Sequence, residues 1–153
     1  MLHSAEGRIL SGVHLALGIA TLATNLLAGA WGGVAWLRHE PSVIFWYLLR
    51  IAQGVVVVTV ATGLYLQIVE DKRAPDGLHV VYGVAPLVIA LVTEAMRVGA
   101  AQRELDLVED VHSLDRAQQA QVARRVVLRE MGVMAIGALL ITTLSLRAVA
   151  TGL

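Results

Sequence analysis

Two histidines stand in matching surroundings in this sequence, and they are the side chains best suited to bind a metal. His14 lies in the stretch GVHLALG and His79 in GLHVVYG, so each follows a glycine by two residues and precedes another by four. Neutral imidazole is a common ligand of transition metals. The chain has no cysteine, which excludes thiolate metal sites, disulfides and thiol catalysis. The matching stretches therefore indicate one shared site, provided that the fold brings them together.

The match extends beyond the histidines themselves. Residue numbers 14 and 79 differ by 65, and the same spacing also pairs acids, arginines and glycines: Glu6 with Asp71, Arg8 with Arg73, Gly18 with Gly83. Matches of Gly, Ala and Leu arise easily in an apolar chain, but paired His, Arg and acidic residues are less common. We interpret the pattern as a possible duplication of a two-helix hairpin.

The elements that must position these residues are membrane helices. The chain has 153 residues, is 57% hydrophobic and only 16% charged, and has a mean hydropathy of +0.70. A helix rises about 1.5 Å per residue, so a segment of about 20 apolar residues crosses a bilayer core. Isolated strands leave backbone groups unsatisfied in lipid. We predict an all-α bundle of four transmembrane helices running up-down-up-down, within one membrane domain of residues 1–153. The expected helices are about 9–30, 42–69, 77–96 and 126–146.

The orientation follows from basic residues, which are enriched on the cytoplasmic side of membrane proteins. We therefore expect both termini outside, in a bacterial inner (plasma) membrane. The face with the termini carries Arg8, Lys72, Arg73 and Arg147, and the opposite face carries Arg38, Arg97, Arg103, Arg116, Arg124, Arg125 and Arg129.

The segment of about 97–125 is the one sizeable polar stretch, and we expect it to form a short cytoplasmic helical hairpin that extends helices three and four. Ser113 is a candidate N-cap, and Asp115 would favour the positive start of the following helix. This hairpin is either a solvated extension or a docking site for a partner. Abundant Gly and Ala would also permit a homodimer or a larger membrane complex.

A second polar set lies towards the predicted inner side of the bundle. A charge in the bilayer costs about 2.5–3.5 kcal/mol on insertion scales unless it is paired or reaches the interface. We therefore expect Arg50 of helix two to pair with Glu94 of helix three, as a clamp on helix packing. A proton or ion path is the alternative. Gln53, Arg129 and Glu130 belong to the same predicted set.

The predicted bundle suggests a chemical role for the two histidines, because it can bring them together. Helices one and three of a four-helix bundle can lie diagonally across its core. Gly18 and Gly83, one turn deeper than His14 and His79, would leave room for a flat group beside each imidazole. Arg8 and Arg73 would lie at the outer rim, where they could neutralise carboxylates.

This arrangement suits a b-type haem, with the imidazoles on the iron and the arginines on the propionates. It resembles the transmembrane cytochromes b, whose helices supply paired histidines to haem, and small bacterial four-helix membrane proteins of this general form. Members with two haems carry four histidines to bridge both leaflets, whereas this chain has no histidine inside the inner half of its predicted membrane helices. The resemblance implies electron transfer or haem handling at one haem, with His14 and His79 as ligands of the haem iron.

Other roles remain open for these residues. The histidines could be structural or interfacial, and a bare zinc site would need further ligands such as His3. There is no phosphate-binding loop or catalytic motif, so we expect that the chain is not an enzyme on its own. A net charge of zero gives no basis for nucleic acid binding. The alternative function is a non-catalytic membrane subunit or scaffold that docks a partner through its cytoplasmic hairpin.

Overall fold

Four long α-helices make up nearly all of the structure, a computed structural model that describes residues 2–69, 77–108 and 111–152, without the side chains of residues 2–7, 112 and 152. A single 3-10 turn, Val111–Ser113, lies between the third and fourth helices. No strand occurs in the described residues. The helices are α1, Leu2–Leu37; α2, Val43–Ile68; α3, Gly77–Asp106; and α4, Arg116–Gly152.

Each helix is long and apolar enough to cross a membrane. Large apolar side chains are exposed around the outside of the bundle, as a lipid solvent favours. The predicted four-helix transmembrane bundle is therefore confirmed, and the chain is an integral membrane protein. The candidate spans are Arg8–Leu37, Val43–Ile68, Gly77–Asp106 and Arg116–Thr151.

The helices do not pack equally around the bundle. α1 packs closely on both α2 and α4, and α3 packs closely on α4, whereas α2 and α3 touch much less. α1 and α3 barely meet, so they lie on a diagonal as the sequence predicted. A two-fold axis relating the α1–α2 and α3–α4 hairpins would make the α1–α4 and α2–α3 interfaces equivalent. The structure does not keep that symmetry, because the α2–α3 interface is the loose one.

Small residues allow α1 and α4 to approach each other. A Cβ atom at Gly29 would lie 2.8 Å from Leu139 Cδ2, and one at Gly132 would lie 2.7 Å from Trp36 Cε2. Helices in membranes associate largely through such close packing. The main buried cluster joins α1, α2 and α4 near the α1–α2 loop: Ala28, Phe45, Leu49, Ala52, Met131, Met134, Ala135 and Ala138. A second buried cluster joins α2, α3 and α4: Val56, Val60, Ala90 and Ile141.

The extension beyond the membrane differs in detail from the prediction. α3 continues to Asp106, and α4 begins at Arg116 rather than near residue 126, so most of the expected hairpin consists of these two continuous helices. The predicted N-cap, Ser113, lies in the 3-10 turn instead. Asp115 precedes α4 and its Oδ1 accepts from the backbone N–H of Gln118 at 2.8 Å, while Gln118 Oε1 accepts from the backbone N–H of Asp115 at 3.0 Å. This reciprocal pair is a capping box, which explains where α4 starts.

A buried carboxylate fixes this extension. Glu104 of α3 is 6% exposed, and its Oε1 accepts from Arg129 Nε of α4 at 2.7 Å. Arg125 Nε lies 3.9 Å from Glu104 Oε2. Because a buried charge needs partners, these contacts hold the two helices together beyond their apolar segments.

Candidate functional site: a cavity with two histidines

His14 of α1 and His79 of α3 face each other across the bundle. Their ring centroids are 6.2 Å apart, and the rings stand at 73° in an edge-on arrangement. Both side chains are partly buried. The fold therefore brings together the two histidines that the sequence singled out, although the helices that carry them hardly touch.

His79 is held in one orientation by α4. Its Nδ1 lies 3.1 Å from the carbonyl oxygen of Ala148, in the last turns of that helix. A carbonyl oxygen only accepts, so Nδ1 must carry the proton in this contact. In a neutral imidazole Nε2 is then a free acceptor. A hydrogen bond from the remote ring nitrogen to a carbonyl is the usual way in which proteins orient a metal-binding histidine.

His14 is held by the helix that follows it, α2. The ring packs on the backbone of Gly63, where a Cβ atom would lie 2.8 Å from His14 Cε1 and 3.4 Å from Nε2. His14 Nδ1 is buried and has no hydrogen-bond partner in the described residues. A buried polar atom without a partner costs about 1–3 kcal/mol. The imidazole of His14 is therefore positioned mainly by its contacts with α2, where it packs on Gly63 and meets the Thr59 backbone, and its Nδ1 is left without a hydrogen bond.

A cavity of about 410 Å³ opens beside the two imidazoles and is lined by all four helices. Its volume falls within the range of small-molecule sites, and its wall is mostly apolar with a few polar groups, as such sites are. Gly83 lines it, and a Cβ atom there would meet nothing within 4 Å. Gly18 also lines it, but a Cβ atom there would lie 3.8 Å from Val149 Cγ2. Space beside the imidazoles is therefore more open on the Gly83 side.

Of the predicted cations, only Arg8 has a described position. Arg8 is exposed and does not line the cavity. Arg73 lies outside the described residues, as does Lys72. Ser11, Gln67 and Tyr82 supply polar groups to the lining instead.

A second group of polar side chains lines the cavity further along α1, α2 and α4. Ser145 is 4% exposed, and its Oγ has no hydrogen-bond partner in the part of the chain that the structure describes. The hydroxyls of Thr21 and Thr59 lie 2.8 Å apart, and Thr59 Oγ1 also donates to the carbonyl of Val55 at 2.8 Å. Pro86 of α3 lines the same cavity and cannot donate to the carbonyl of Tyr82, four residues earlier. Ser145 therefore carries a buried hydroxyl that the described residues leave without a hydrogen bond, whereas the two threonine hydroxyls are bonded.

The cavity is not a conventional cage for a bare metal ion. Among the described residues, no three His, Asp or Glu side chains are placed to hold a metal ion together. His3 and His112 have no described side chains, and His39 lies in the α1–α2 loop with φ 57°. Among the described residues, the metal ligands available at this site are thus the two imidazoles.

The predicted inner charge pair is in contact. Arg50 Nη1 lies 2.6 Å from Glu94 Oε1, to which Gln53 Nε2 also donates at 2.8 Å. Arg97 adds an unpredicted partner, since its Nε donates to Glu94 Oε2 at 2.9 Å and its Nη1 to Glu130 Oε1 at 3.2 Å. This network links α2, α3 and α4, and two arginines balance two glutamates. Arg129, which the sequence assigned to the same set, pairs instead with Glu104.

Two residues of the histidine cavity were missed by sequence reasoning. Gly63 was one glycine among 14, and nothing in its own neighbourhood marks it as the position on which His14 packs. Ser145 was overlooked because a single hydroxyl in an apolar helix usually bonds to its own backbone. Helix register would have been needed to identify either residue.

Comparison with known protein families, with curated proteins and with solved structures finds no match to this chain. The function must therefore be inferred from the site itself.

Proposed function

We propose that this protein binds a b-type haem between His14 and His79 and serves in electron transfer or haem handling. The observation that carries the proposal is the placement of two imidazoles, from two separate helices, 6.2 Å apart at a largely apolar cavity. Sequence alone supports only the presence of the pair. The geometry adds three observations: the two rings lie close together, each ring is held by a different helix, and a cavity lies beside them.

The separation of the rings agrees with ligation of one ion. Metal–imidazole bonds are about 2 Å long and each ring centroid lies about 1 Å behind its nitrogen, so two imidazoles that share one ion would have centroids up to roughly 6 Å apart. The distance of 6.2 Å between His14 and His79 is close to that limit. A haem iron needs only two protein ligands, since the porphyrin supplies the other four, so the absence of a third side-chain ligand among the described residues is compatible with it.

The surroundings of the pair also suit a flat, apolar group. Gly83 leaves open space next to His79, and the cavity wall is mostly apolar. The Ala148 carbonyl holds His79 as the tautomer whose Nε2 can bind a metal. His14, packed on Gly63, is the more weakly directed ligand because its Nδ1 lacks a partner in the described residues.

When bound, haem would supply one-electron chemistry at iron. The chain's own residues would set the burial of the group, the tautomer of His79 and the position of His14. Within the helices themselves, no histidine lies in the half of the bundle near Arg50 and Glu94. A single haem near the end of the bundle that carries the termini therefore suits electron exchange at one face of the membrane better than electron transfer across the membrane.

The orientation of that face belongs to the same proposal. The face that carries the α1–α2 loop and the 97–125 segment has seven flanking basic residues, against four on the other, so we place it in the cytoplasm. The two histidines then lie towards the outer side of a bacterial inner membrane, with both termini outside.

The visible spectrum of protein purified in mild detergent from haem-replete cells tests the proposal. We expect a Soret band with sharp α and β bands on reduction, and a low-spin iron in the oxidised state. His14→Ala and His79→Ala should each give a high-spin spectrum or lose the haem. His39→Ala is the matched control, since His39 lies in a loop away from the cavity, and it should leave the spectrum unchanged.

A second candidate occupant is a membrane-soluble ring compound that carries oxygen atoms. It is supported by the few polar side chains, Gln67 and Tyr82 among them, in the otherwise mostly apolar lining of the cavity. A colourless preparation whose organic extract contains such a compound at stoichiometric amount would favour this occupant. A colourless preparation without any bound molecule would favour the scaffold alternative, in which the α3–α4 extension docks a partner.

A further inference from the structure

We propose that the cavity takes its ligand sideways from the bilayer, through a gap between the outer parts of α2 and α3. The inference rests on the proposed function for the identity of the ligand, a membrane-dissolved haem, but the gap itself is a property of the protein. It is bordered by Leu64 and Gln67 on α2 and by Val80 and Gly83 on α3, and is called the α2–α3 gap below.

The α2–α3 interface is the weakest contact between neighbouring helices, and the contacts that do hold it lie elsewhere. Towards the inner end, Arg50 and Gln53 bind Glu94. Near the middle, Val56 and Val60 pack with Ala90. In the outer parts, no side-chain hydrogen bond or ion pair among the described residues joins Leu64 or Gln67 to Val80 or Gly83. The described contacts therefore hold the inner and middle parts of the interface and leave its outer part loosely joined.

The register of the two antiparallel helices places Leu64 and Val80 opposite each other. Arg50 lies 14 residues inward of Leu64 on α2, and its partner Glu94 lies 14 residues inward of Val80 on α3. With a rise of about 1.5 Å per residue, this pair of positions lies roughly 21 Å outward of the ionic contact. Both residues line the cavity, so they mark its two edges at one height.

The surface of the gap is accessible and apolar. Leu64 lines the cavity and is nevertheless 41% exposed, and Gln67 is likewise exposed. A Cβ atom at Gly83 would enter open space. Leu64 lies in the apolar helix α2, and Val80 and Gly83 lie in the apolar segment 77–96 of α3, so we place this opening against lipid rather than water. An apolar ligand dissolved in the membrane would reach the imidazoles without crossing an aqueous phase.

A reversible block of the gap provides the test. The chain has no cysteine, so Leu64→Cys with Val80→Cys can be joined selectively by a bis-maleimide whose spacer contains a disulfide. Joined protein in vesicles should take up haem from other vesicles more slowly by about tenfold or more, because association slows when a barrier must be crossed first. Cleavage of the spacer should restore the rate. Each single variant, labelled with a mono-maleimide, controls for the added bulk. Equal uptake before and after cleavage would overturn the proposal.

A second measurement needs no haem and separates failure of the gap from failure of the proposed function. A nitroxide attached through Gly83→Cys should be relaxed more strongly by oxygen, which concentrates in lipid, than by a water-soluble nickel chelate. The same label at Gly99→Cys, on the part of α3 towards the predicted cytoplasmic side, is the matched control and should show the opposite preference. Stronger relaxation of the Gly83 label by the nickel chelate would exclude a lipid-facing gap. Lipid exposure without haem uptake in the unmodified protein would retain the gap and reject haem as its ligand.

Discussion

The imidazole of His14 packs on the backbone of Gly63, where a Cβ atom would lie 2.8 Å from Cε1. Glycine is thus required on α2 for the present position of a histidine on α1. His79, in contrast, is fixed by a hydrogen bond to the Ala148 carbonyl on α4. The two imidazoles therefore depend on different helices and on different forces, and substitutions should affect them separately.

Gly63→Ala should displace the His14 ring without unfolding the bundle. Alanine favours a helix over glycine by about 0.5–1 kcal/mol, whereas overpacking costs about 1–3 kcal/mol, so the unfolding free energy should fall by roughly 0–2 kcal/mol. The imidazole, as the movable partner, should give way. We expect reduced haem occupancy or a spectrum with more high-spin iron. Gly54→Ala is the matched control, because a Cβ atom there would meet nothing within 4 Å, and it should leave the spectrum intact. An unchanged spectrum in both variants would contradict the importance of this contact.

Arg50 and Glu94 should be energetically coupled, since their side chains are 2.6 Å apart between two otherwise loosely packed helices. A double-mutant cycle with Arg50→Ala and Glu94→Ala, read by thermal unfolding in detergent, should give a coupling energy of about 0.5–3 kcal/mol. Glu94 retains Arg97 in the single Arg50 variant, so the loss of Arg50 alone should be the milder change. Additive effects of the two substitutions would show that the contact contributes nothing measurable.

The sequence allowed prediction of the features that depend on length and hydropathy. Four apolar segments long enough to cross a bilayer must be helices, because isolated strands leave their backbone groups unsatisfied in lipid. The diagonal placement of α1 and α3 is one of the few arrangements that a four-helix bundle can adopt. The contact between Arg50 and Glu94 was also predictable, because an isolated charge in lipid is costly and few partners were available.

Features that depend on rotation and register about each helix were not predictable. The pairing of Arg129 with Glu104, rather than with the Arg50 and Glu94 network, depends on which face of α4 meets α3. The unequal α1–α4 and α2–α3 interfaces depend on the close approach at Gly29 and Gly132, which no local pattern distinguishes from other glycines. The continuation of α3 and α4 into the 97–125 segment was predicted, but α1 is longer than the expected 9–30 because it continues past its apolar core at both ends.

Arg129→Ala should destabilise the protein more than Glu104→Gln does. Glu104 is buried, whereas the Arg129 side chain is 69% exposed. Removing Arg129 leaves a buried carboxylate with Arg125 at 3.9 Å as its nearest basic partner in the described residues. Removing the exposed partner of such a pair can lower the unfolding free energy by up to about 3–5 kcal/mol, because a buried charge is left behind. A neutral amide at position 104 leaves no buried charge. Thermal unfolding of both variants in the same detergent gives the comparison. A larger loss for Glu104→Gln would show that the carboxylate itself is what the extension needs.

Reporter fusions should place both termini outside. Alkaline phosphatase is active only after export, so a fusion at Leu153 should be active and one near His112 inactive, as the distribution of flanking arginines requires. A fusion of green fluorescent protein should show the reverse pattern and serves as the control. Activity near His112 together with inactivity at Leu153 would invert the bundle and move the histidine cavity to the cytoplasmic side.

Gly83→Leu and Gly18→Leu should both lower haem content, but for different reasons. At Gly83 the new side chain enters the open space of the cavity, so it should compete with the ligand while the bundle remains folded. At Gly18 it meets Val149 on the closely packed α1–α4 interface, so overpacking should also lower the unfolding free energy by about 1–3 kcal/mol. Circular dichroism and thermal unfolding separate the two effects, and haem content per protein is read from the Soret band. We expect Gly83→Leu to keep the helicity and melting temperature of the parent while it loses haem. If Gly83→Leu retains full haem occupancy, the open space beside His79 is not where the ligand lies, and the assignment of the cavity to haem is wrong.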